Sequence, residues 1–533
     1  MGLKSSPIMR WLILFLAALA AFDVAPSNGA RILAVFPFIS KSHMIVLNAL
    51  TKELSSRGHE MVVVSAFPQE KKRPNYTDID IMPDLKEIME ETTGKNLFYA
   101  GKMPIYKQSF VMWGKGLGAT EAVVKGSRFK QLLKDERGFD LVITEVFMNE
   151  AIYGLAYHFQ APLVLVCPFG GFHWHNYASG NPVPLSYYPN PLLEYTHKMT
   201  FTQRLSNFLF TKTWDLGHYF YYLPRQEALS KKVFGLDTPS VQELEASASV
   251  VLVNQHFTLN YPRPLMPNII EVGGMHVSRE VKPLAKEFKD FLDGAKEGAI
   301  YFSMGSNLKS ELMGDDRIKA FVQAFAELPQ KVLWKWQSDS VPGQSKNVKV
   351  AAWMPQQEIL AHPNVKVFVT HGGLLSAQEA AFHGVTLVGI PVFGDQKLNM
   401  RKAQLGGFGI YIDFNNVTKE SIQWALNEAL HNPKITEASR LRSAQYRDQP
   451  ESPLDRAIFW TEYALRHKGA KHLRSAAADL CWFQLNLWDV YFTLLAPVIL
   501  SLLLCKKCCC GRKESAIADK KGDKADGSKK KKQ

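Results

Sequence analysis

Cysteine is scarce in this chain: six residues among 533, of which only Cys167 and Cys481 precede the apolar run near the C terminus. That excludes a disulfide framework, and no CxxC pair of metal-binding spacing stands in that part of the chain. Charged residues are modest at 21% against 46% hydrophobic, the balance of a globular protein with some membrane content. A basic folded surface is also lacking, despite a net charge of +13. The tail from Lys506 to Gln533 holds 11 Lys/Arg against 4 Asp/Glu, so +7 of the charge sits there and only +6 remains for the rest. A nucleic-acid binder concentrates its basic residues on a folded domain. No nucleic-acid partner is therefore expected, and the excess reads as a membrane-topology signal.

Long hydrophobic runs are rare, and the two present lie near the ends. Lys4 and Arg10 precede WLILFLAALAA (Trp11 to Ala21), with Ser27 and Gly29 offering a cleavage site. This is the anatomy of a secretory signal peptide over residues 1–29. VYFTLLAPVILSLLL (Val490 to Leu504) carries no charge, with Trp482 and Trp488 before it and Cys505, Lys506 and Lys507 after it. We assign a transmembrane helix to 486–505 and a basic cytosolic tail to 506–533, giving a single-pass type I protein with its bulk on the lumenal side. Lys530 and Lys531 in the final KKKQ fit a dilysine signal for the endoplasmic reticulum, the alternative being a polybasic tail drawn to anionic lipid. The sequence leaves open palmitoylation of Cys505, Cys508, Cys509 and Cys510, glycan occupancy at the sequons Asn75 and Asn416, and homo-oligomerisation.

The chain is too long for one hydrophobic core. RILAVFPF (from Arg31) is an unbroken apolar strand of the kind buried in a parallel sheet, followed by a helical pattern to about Ser56 that ends at Gly58. MVVVSAF, FDLVITEVF and APLVLVCPF repeat the alternation. The pattern restarts with GAIYFSMGS, KVLWKW, NVKVAAW, VKVFVT and GVTLVGIPVF. Two doubly wound α/β domains facing across a cleft are expected, over 30–275 and 298–445, with a linker at 276–297 and helices leading to the membrane at 446–485. The stretch from about Lys72 to Lys231 reads as irregular.

Chemistry concentrates between Trp353 and Gln396. In VKVFVTHGGLLSAQEAAFHG a strand ends at Thr370, Gly372 and Gly373 make a tight loop, and Ser376-x-x-Glu379 has the form of a capping box opening a helix. Such a helix start suits a diphosphate, and His371 can donate to the same group. A generic α/β turn has the same pattern. Upstream, Trp353 offers a flat ring and Gln356 an amide for a base. Downstream, Asp395 and Gln396 suit sugar hydroxyls.

Taken together, WMPQQEIL, THGGLLSAQEA and PVFGDQ resemble the signature of the UDP-glycosyltransferase family (glycosyltransferase family 1). The resemblance extends to YFSMGSN, the run from Pro262 to Gly274, the apolar span and the basic tail. THGGLLS looks most like the invertebrate branch. The resemblance implies a GT-B fold with UDP-sugar as co-substrate and no separate cofactor or metal. It further implies that Trp353 stacks on uracil and Gln356 contacts it, while Glu379 binds the ribose hydroxyls. His371, Gly373, Ser376 and Ser306 would hold the diphosphate, and Asp395 and Gln396 the sugar. Many relatives have Asn before the position of Ser376; here Leu375 stands there, which puts side-chain phosphate contacts at that point in doubt.

By the same resemblance His43, placed in the first strand–helix loop, is the catalytic base, oriented by a carboxylate. Relatives commonly carry Asp at the end of that strand, whereas FDLVITE supplies Glu145. Three further features carry weaker signals. Asp78-Ile79-Asp80 has the D-x-D form of a metal-dependent transferase but follows KKRPNYT instead of an apolar strand. His173-Trp174-His175 shows no third metal ligand and is expected to line the acceptor pocket with Phe169, Phe172 and Tyr177. Arg263 has an acidic sugar and a structural role as equal alternatives. The expected activity is inverting, metal-independent transfer of a hexose from UDP-sugar to a hydroxyl of a small lipophilic acceptor, a detoxifying conjugation. Glucose is the first choice of sugar and glucuronic acid the second. A non-catalytic, membrane-tethered lipophile-binding protein is the rival from a different class.

Overall fold

A computed structural model of the chain describes residues 29–93, 97–171 and 173–526. The signal-peptide assignment, Phe172 and the Lys530/Lys531 pair lie outside the described residues, as do the side chains of Trp174, Tyr177, Cys508, Cys509 and Cys510.

Apolar runs that alternate with helical segments can only pair in parallel, because each crossover returns the chain to the starting edge. The first such sheet contains β1 (Arg31–Phe36), β2 (Glu60–Ser65), β3 (Tyr76–Asp80), β4 (Leu141–Glu145), β5 (Leu163–Cys167), β6 (Val250–Val253) and β7 (Ile269–Glu271), in the order β3-β2-β1-β4-β5-β6-β7. The second contains β8 (Ala299–Ser303), β9 (Lys331–Lys335), β10 (Val348–Ala351), β11 (Val365–Thr370), β12 (Thr386–Gly389) and β13 (Gly409–Tyr411), in the order β10-β9-β8-β11-β12-β13. Both sheets are parallel throughout. Both also reverse their winding direction once, between β1 and β4 in the first and between β8 and β11 in the second. These reversals part the flanking loops and open a crevice at the strands' carboxyl ends.

Each sheet is buried on both faces, which accounts for the lack of polar alternation. In β1, Leu33 and Val35 enter one apolar cluster and Ile32, Ala34 and Phe36 the other. In β11, Val367 and Val369 face one cluster while Phe368 faces its opposite. The helix Lys41–Ser56 packs Met44, Leu47, Leu50 and Leu54 onto the first sheet and stops at Gly58, whose φ of 96° continues no right-handed helix.

The structure adds detail that the sequence pattern does not give. The 276–297 segment holds a helix, Lys286–Asp293, whose Phe288 and Leu292 are buried. The region read as irregular contains the helices Ile105–Lys125, Phe201–Gly217 and Leu223–Phe234. The helix Pro453–Arg466 follows the second sheet in sequence yet packs on the first: Ala457, Ile458 and Ala464 join the cluster of Ile32, Leu47 and Leu50. Residues 475–533 form a separate compact unit. Its long helix, Trp488–Asp526, starts after Leu487, whose φ is 55°, two residues later than the assigned span. Within it Trp488–Lys507 is long and apolar enough to cross a membrane. The sequon residues Asn75 and Asn416 are exposed.

The docking of Pro453–Arg466 leads to a testable consequence. Ile458 is fully buried and Phe459 is 47% exposed. Ile458→Ala should cost about 2–4 kcal/mol and lower the melting temperature clearly, whereas Phe459→Ala should change it little. Equal shifts in thermal unfolding would contradict the packing described.

Candidate active site

A cavity of about 810 Å³ opens between the two sheets' carboxyl ends. Ten of the eleven residues singled out from the sequence line it: His43, Ser306, Trp353, Gln356, His371, Gly373, Ser376, Glu379, Asp395 and Gln396. The eleventh, Glu145, lies fully buried behind His43. The winding reversals explain the convergence. His43 follows β1 and Glu145 ends β4, the two strands that flank the first reversal; Ser306 follows β8 and His371 follows β11, the pair that flanks the second.

His43 occupies the first turn of the helix Lys41–Ser56, one step beyond the loop expected for it. Its Nδ1 stands 2.9 Å from Glu145 Oε2, and Glu145 Oε1 accepts the Phe38 N–H at 3.2 Å. A carboxylate can only accept, so Nδ1 donates to it; in the neutral ring that leaves the lone pair on Nε2. Phe38 stacks on the imidazole at 5.4 Å, Phe147 meets it edge-on at 5.1 Å and Phe169 lies 5.7 Å away. Phe147 and Phe38 were not singled out from the sequence, because nothing in a strand-end phenylalanine marks which side chain it will cage.

In the second domain the helix Leu374–His383 begins with Gly373 as N-cap and has no side-chain cap. The capping box expected at Ser376 and Glu379 is therefore not formed. The helix starts at Leu374, which puts both side chains past the N-cap, where they turn to Gln356. Gln356 donates to Ser376 Oγ at 3.2 Å and to Glu379, and Gln357 donates to Glu379 Oε1 at 3.3 Å. The Tyr301 hydroxyl donates to Gln356 Oε1 at 3.3 Å. His276 Nε2 stands 3.5 Å from Glu379 Oε1. With no side chain capping it, the helix start keeps its first N–H groups and the positive end of its dipole for a ligand.

His371 is wedged between two glycines. A Cβ at Gly305, whose φ is 80°, would lie 2.5 Å from its Cε1, and one at Gly373 would lie 2.6 Å from its Nε2. Burial, reinforced by the positive charge of Lys335, lowers the His371 pKa to about 4. Lys335, which the sequence gave no reason to single out, donates to the Gly305 carbonyl at 2.9 Å and lines the cavity. Trp353 is 57% exposed, with Lys41 Nζ 4.3 Å and Lys335 Nζ 5.2 Å from its ring centre.

Asp395 accepts from Asn399 Nδ2 at 2.9 Å, and burial raises its pKa despite Asn399 and the positive field of Lys402. Gln396 commits its side-chain oxygen to the N–H groups of Val392 and Phe393, at 2.9 and 3.1 Å, and so fixes the loop that carries Asp395.

The weaker candidates fall elsewhere. Asp78 and Asp80 lie on the edge strand β3, away from the cavity, and accept local backbone N–H groups from Gln69 and Met82. His173 and His175 do not line the cavity, contrary to expectation. They are buried, His173 Nε2 standing 2.9 Å from Asp215 and His175 Nδ1 3.2 Å from Glu245. Arg263 donates to Asn176 Oδ1 at 2.7 Å and sits over Tyr188, a structural placement outside the cavity.

Comparison with known proteins agrees with this geometry. The profile described as "UDP-glucoronosyl and UDP-glucosyl transferase" matches residues 31–522. UDP-glycosyltransferase UGT5 of Dactylopius coccus is 36% identical, over 92% of this chain and 93% of its own. UDP-glucuronosyltransferase 2B7 of Homo sapiens is 30% identical, over 94% of this chain and 96% of its own. Among solved structures, the calicheamicin glycosyltransferase CalG4 superimposes with a TM-score of 0.57 at 18% identity, covering 82% of this chain and 99% of that one. TcCGT1, solved in complex with UDP, gives 0.56 at 14% identity, covering 83% and 100%. These two show the fold, which is GT-B. The chain belongs to the UDP-glucuronosyl and UDP-glucosyl transferase family and is a UDP-glycosyltransferase.

Proposed function

We propose that the chain transfers a hexose, glucose first, from UDP-sugar to a hydroxyl of a small lipophilic acceptor, by one displacement with inversion and without a metal ion. The observation that carries this reading is the 2.9 Å contact between His43 Nδ1 and the buried Glu145, at the wall of a cavity shared by both domains. Nε2 takes the acceptor's proton as its oxygen attacks C1 of the sugar, and Glu145 stabilises the imidazolium that forms. Departing UDP is met by the uncapped start of Leu374–His383 and by His371, kept neutral and therefore a donor instead of a cation. Trp353 stacks on uracil and Gln356 touches its edge; Glu379 takes the ribose. Gly373, Ser376 and Ser306 complete the diphosphate site, while Asp395 and Gln396 hold the sugar.

The first-domain side of the cavity includes Phe38, Ile88, Leu97, Met112, Phe147 and Phe169, which supports a lipophilic acceptor. Glucose is preferred over glucuronic acid because Asp395 would face a sugar carboxylate with like charge and Arg263 is engaged elsewhere. Glucuronic acid is the alternative, supported by the names of the mammalian relatives. The polar dyad behind the cavity wall argues against a purely lipophile-binding role. We further assign the two sheets to the lumen of the endoplasmic reticulum and the basic tail to the cytosol, on the Lys/Arg excess after the apolar helix.

His43→Ala should lower kcat by about 10²–10⁴ and leave UDP affinity nearly unchanged; normal turnover would remove the base assignment. Turnover in excess EDTA should equal turnover without it, and strong inhibition would require a metal. UDP-glucose should outperform UDP-glucuronic acid in a donor panel with phenolic acceptors, and the reverse ranking would reassign the sugar.

His371 gives a pH signature. Its folded pKa of about 4 lies below the ~6.5 of an unfolded histidine, so between these values the unfolded chain binds more protons. Acidification through that window therefore removes stability. Without donor, His371→Asn should lose less melting temperature than wild type between about pH 7 and pH 5; parallel slopes would show that this imidazole does not titrate as described.

A further inference from the structure

Behind the aromatic cage of His43 the chain makes a turn that residues other than glycine rarely adopt. β4 ends at Glu145, and the residues that follow, Val146 to Asn149, are all buried. Met148 sits among them with a φ of 58°, in the left-handed region that a side chain disfavours. Its neighbour Phe147 is the ring that meets the His43 imidazole edge-on at 5.1 Å. A methionine left to itself returns to extended or right-handed helical backbone, and either change swings Phe147 away from His43. Something must hold the turn.

Gln226, fully buried on the helix Leu223–Phe234, brackets it from two sides. Its Nε2 donates to the Met148 carbonyl at 3.1 Å, and its Oε1 accepts the Ala151 N–H at 3.1 Å. The amide fits in this sense only. Nε2 also donates to the Tyr222 hydroxyl at 2.6 Å, and that hydroxyl gives its own proton to Glu150 Oε2 at 3.0 Å. From the other side the helix Ile105–Lys125 closes in. A Cβ at Gly116 would lie 2.1 Å from Met148 Cβ, and Thr120 shares its hydroxyl proton between the Gly116 carbonyl at 2.8 Å and the Met148 carbonyl at 3.4 Å. Inside the turn, Asn149 Oδ1 accepts the Phe147 N–H at 3.2 Å and Asn149 Nδ2 donates to Thr144 Oγ1 at 3.3 Å. Thr144 in turn donates to the Val35 carbonyl at 2.8 Å. The turn is thereby tied to β1 and β4, the strands that deliver His43 and Glu145. Pairing of buried backbone groups would explain such bonds at any turn. It does not explain a left-handed methionine at the place where relaxation would uncage the imidazole.

We infer that Gln226, with Asn149, is a positioning residue for the transfer: it locks the left-handed turn at Met148 and so keeps Phe147 against His43. Neither residue lines the cavity, so both act through the ring and not on a substrate. The inference rests on His43 being the base. With Phe147 in place, water is kept from the His43–Glu145 contact and the imidazole holds one direction toward the acceptor hydroxyl. With the ring displaced, the donor residues of the second domain are untouched while the imidazole gains room to turn.

The test uses the full chain in microsomes, with para-nitrophenol as acceptor and whichever of UDP-glucose and UDP-glucuronic acid the donor panel ranks first. Gln226→Met keeps the volume and removes the bonds to Met148, Ala151 and Tyr222. It should lower kcat about 5- to 30-fold and leave KM for the donor within about twofold of wild type. Phe147→Leu should lower kcat by a similar factor, and the double variant should fall no further than the worse single one, because both losses pass through one ring. Losses that multiply would leave Gln226 a structural role only and overturn the proposal, as would wild-type kcat in Gln226→Met. A UDP-dependent rise in melting temperature certifies the fold of each variant. If Gln226→Met lacks that rise, Asn149→Ser goes through the same cycle with the same expected and overturning results. His43→Ala is measured alongside. An inactive His43→Ala with full turnover in Gln226→Met sinks this proposal alone, whereas turnover in His43→Ala sinks the base assignment and this proposal with it.

Discussion

Everything at the cleft depends on one constraint: both sheets are wholly parallel, and their central strands are buried on both faces. Strands such as Ile32–Phe36 and Val367–Val369 have no face left for polar chemistry, so function is confined to the loops at their ends. Parallel winding also points all carboxyl ends of a sheet the same way. The two winding reversals then decide which loops part, and the residues with chemistry to do sit beside them. His43 and Glu145 come from adjacent strands of the first sheet, and Ser306 and His371 from adjacent strands of the second.

Within that frame the His43–Glu145 contact solves a desolvation problem. A fully buried carboxylate is expensive unless its oxygens are matched. Glu145 matches one with the Phe38 N–H and the other with His43 Nδ1. The tautomer thus follows from burial, and the aromatic cage of Phe38, Phe147 and Phe169 excludes water that would compete for the carboxylate. The longer arm of Glu, compared with Asp, is accommodated because the strand ends at Glu145 itself while the helix carrying His43 begins at Lys41.

The sequence was most readable where contacts are local. Buried parallel strands announce themselves as unbroken apolar runs, and the turn around His371, Gly372 and Gly373 as glycines between a strand and a helix. It was least readable where partners are remote. Whether His173 and His175 face a cavity depends on Asp215 and Glu245, which come from other helices. The return of Pro453–Arg466 to the first sheet follows from packing that periodicity alone does not direct. The capping-box reading failed because two glycines leave the start of the following helix undetermined by two residues. An uncapped helix start leaves its first N–H groups open to an anion, which a capping box would not.

The same distinction separates the two halves of the cleft. Most of the residues proposed for the donor fall between Trp353 and Gln396, although Ser306 comes from the turn after β8 and Gln356 and Glu379 are held by Tyr301 and His276. The first-domain wall of the cavity draws on Phe38, Leu97, Met112, Phe147 and Leu192, from five separate segments. A few local turns suffice to shape one end of the cavity, whereas a wall made by packing distant helices changes shape with substitutions along them. The helix Ile105–Lys125 illustrates the consequence. It turns Met112 and Ser109 toward the cavity and exposes Phe110 to the outside, so one element supplies both a cavity wall and part of the outer surface.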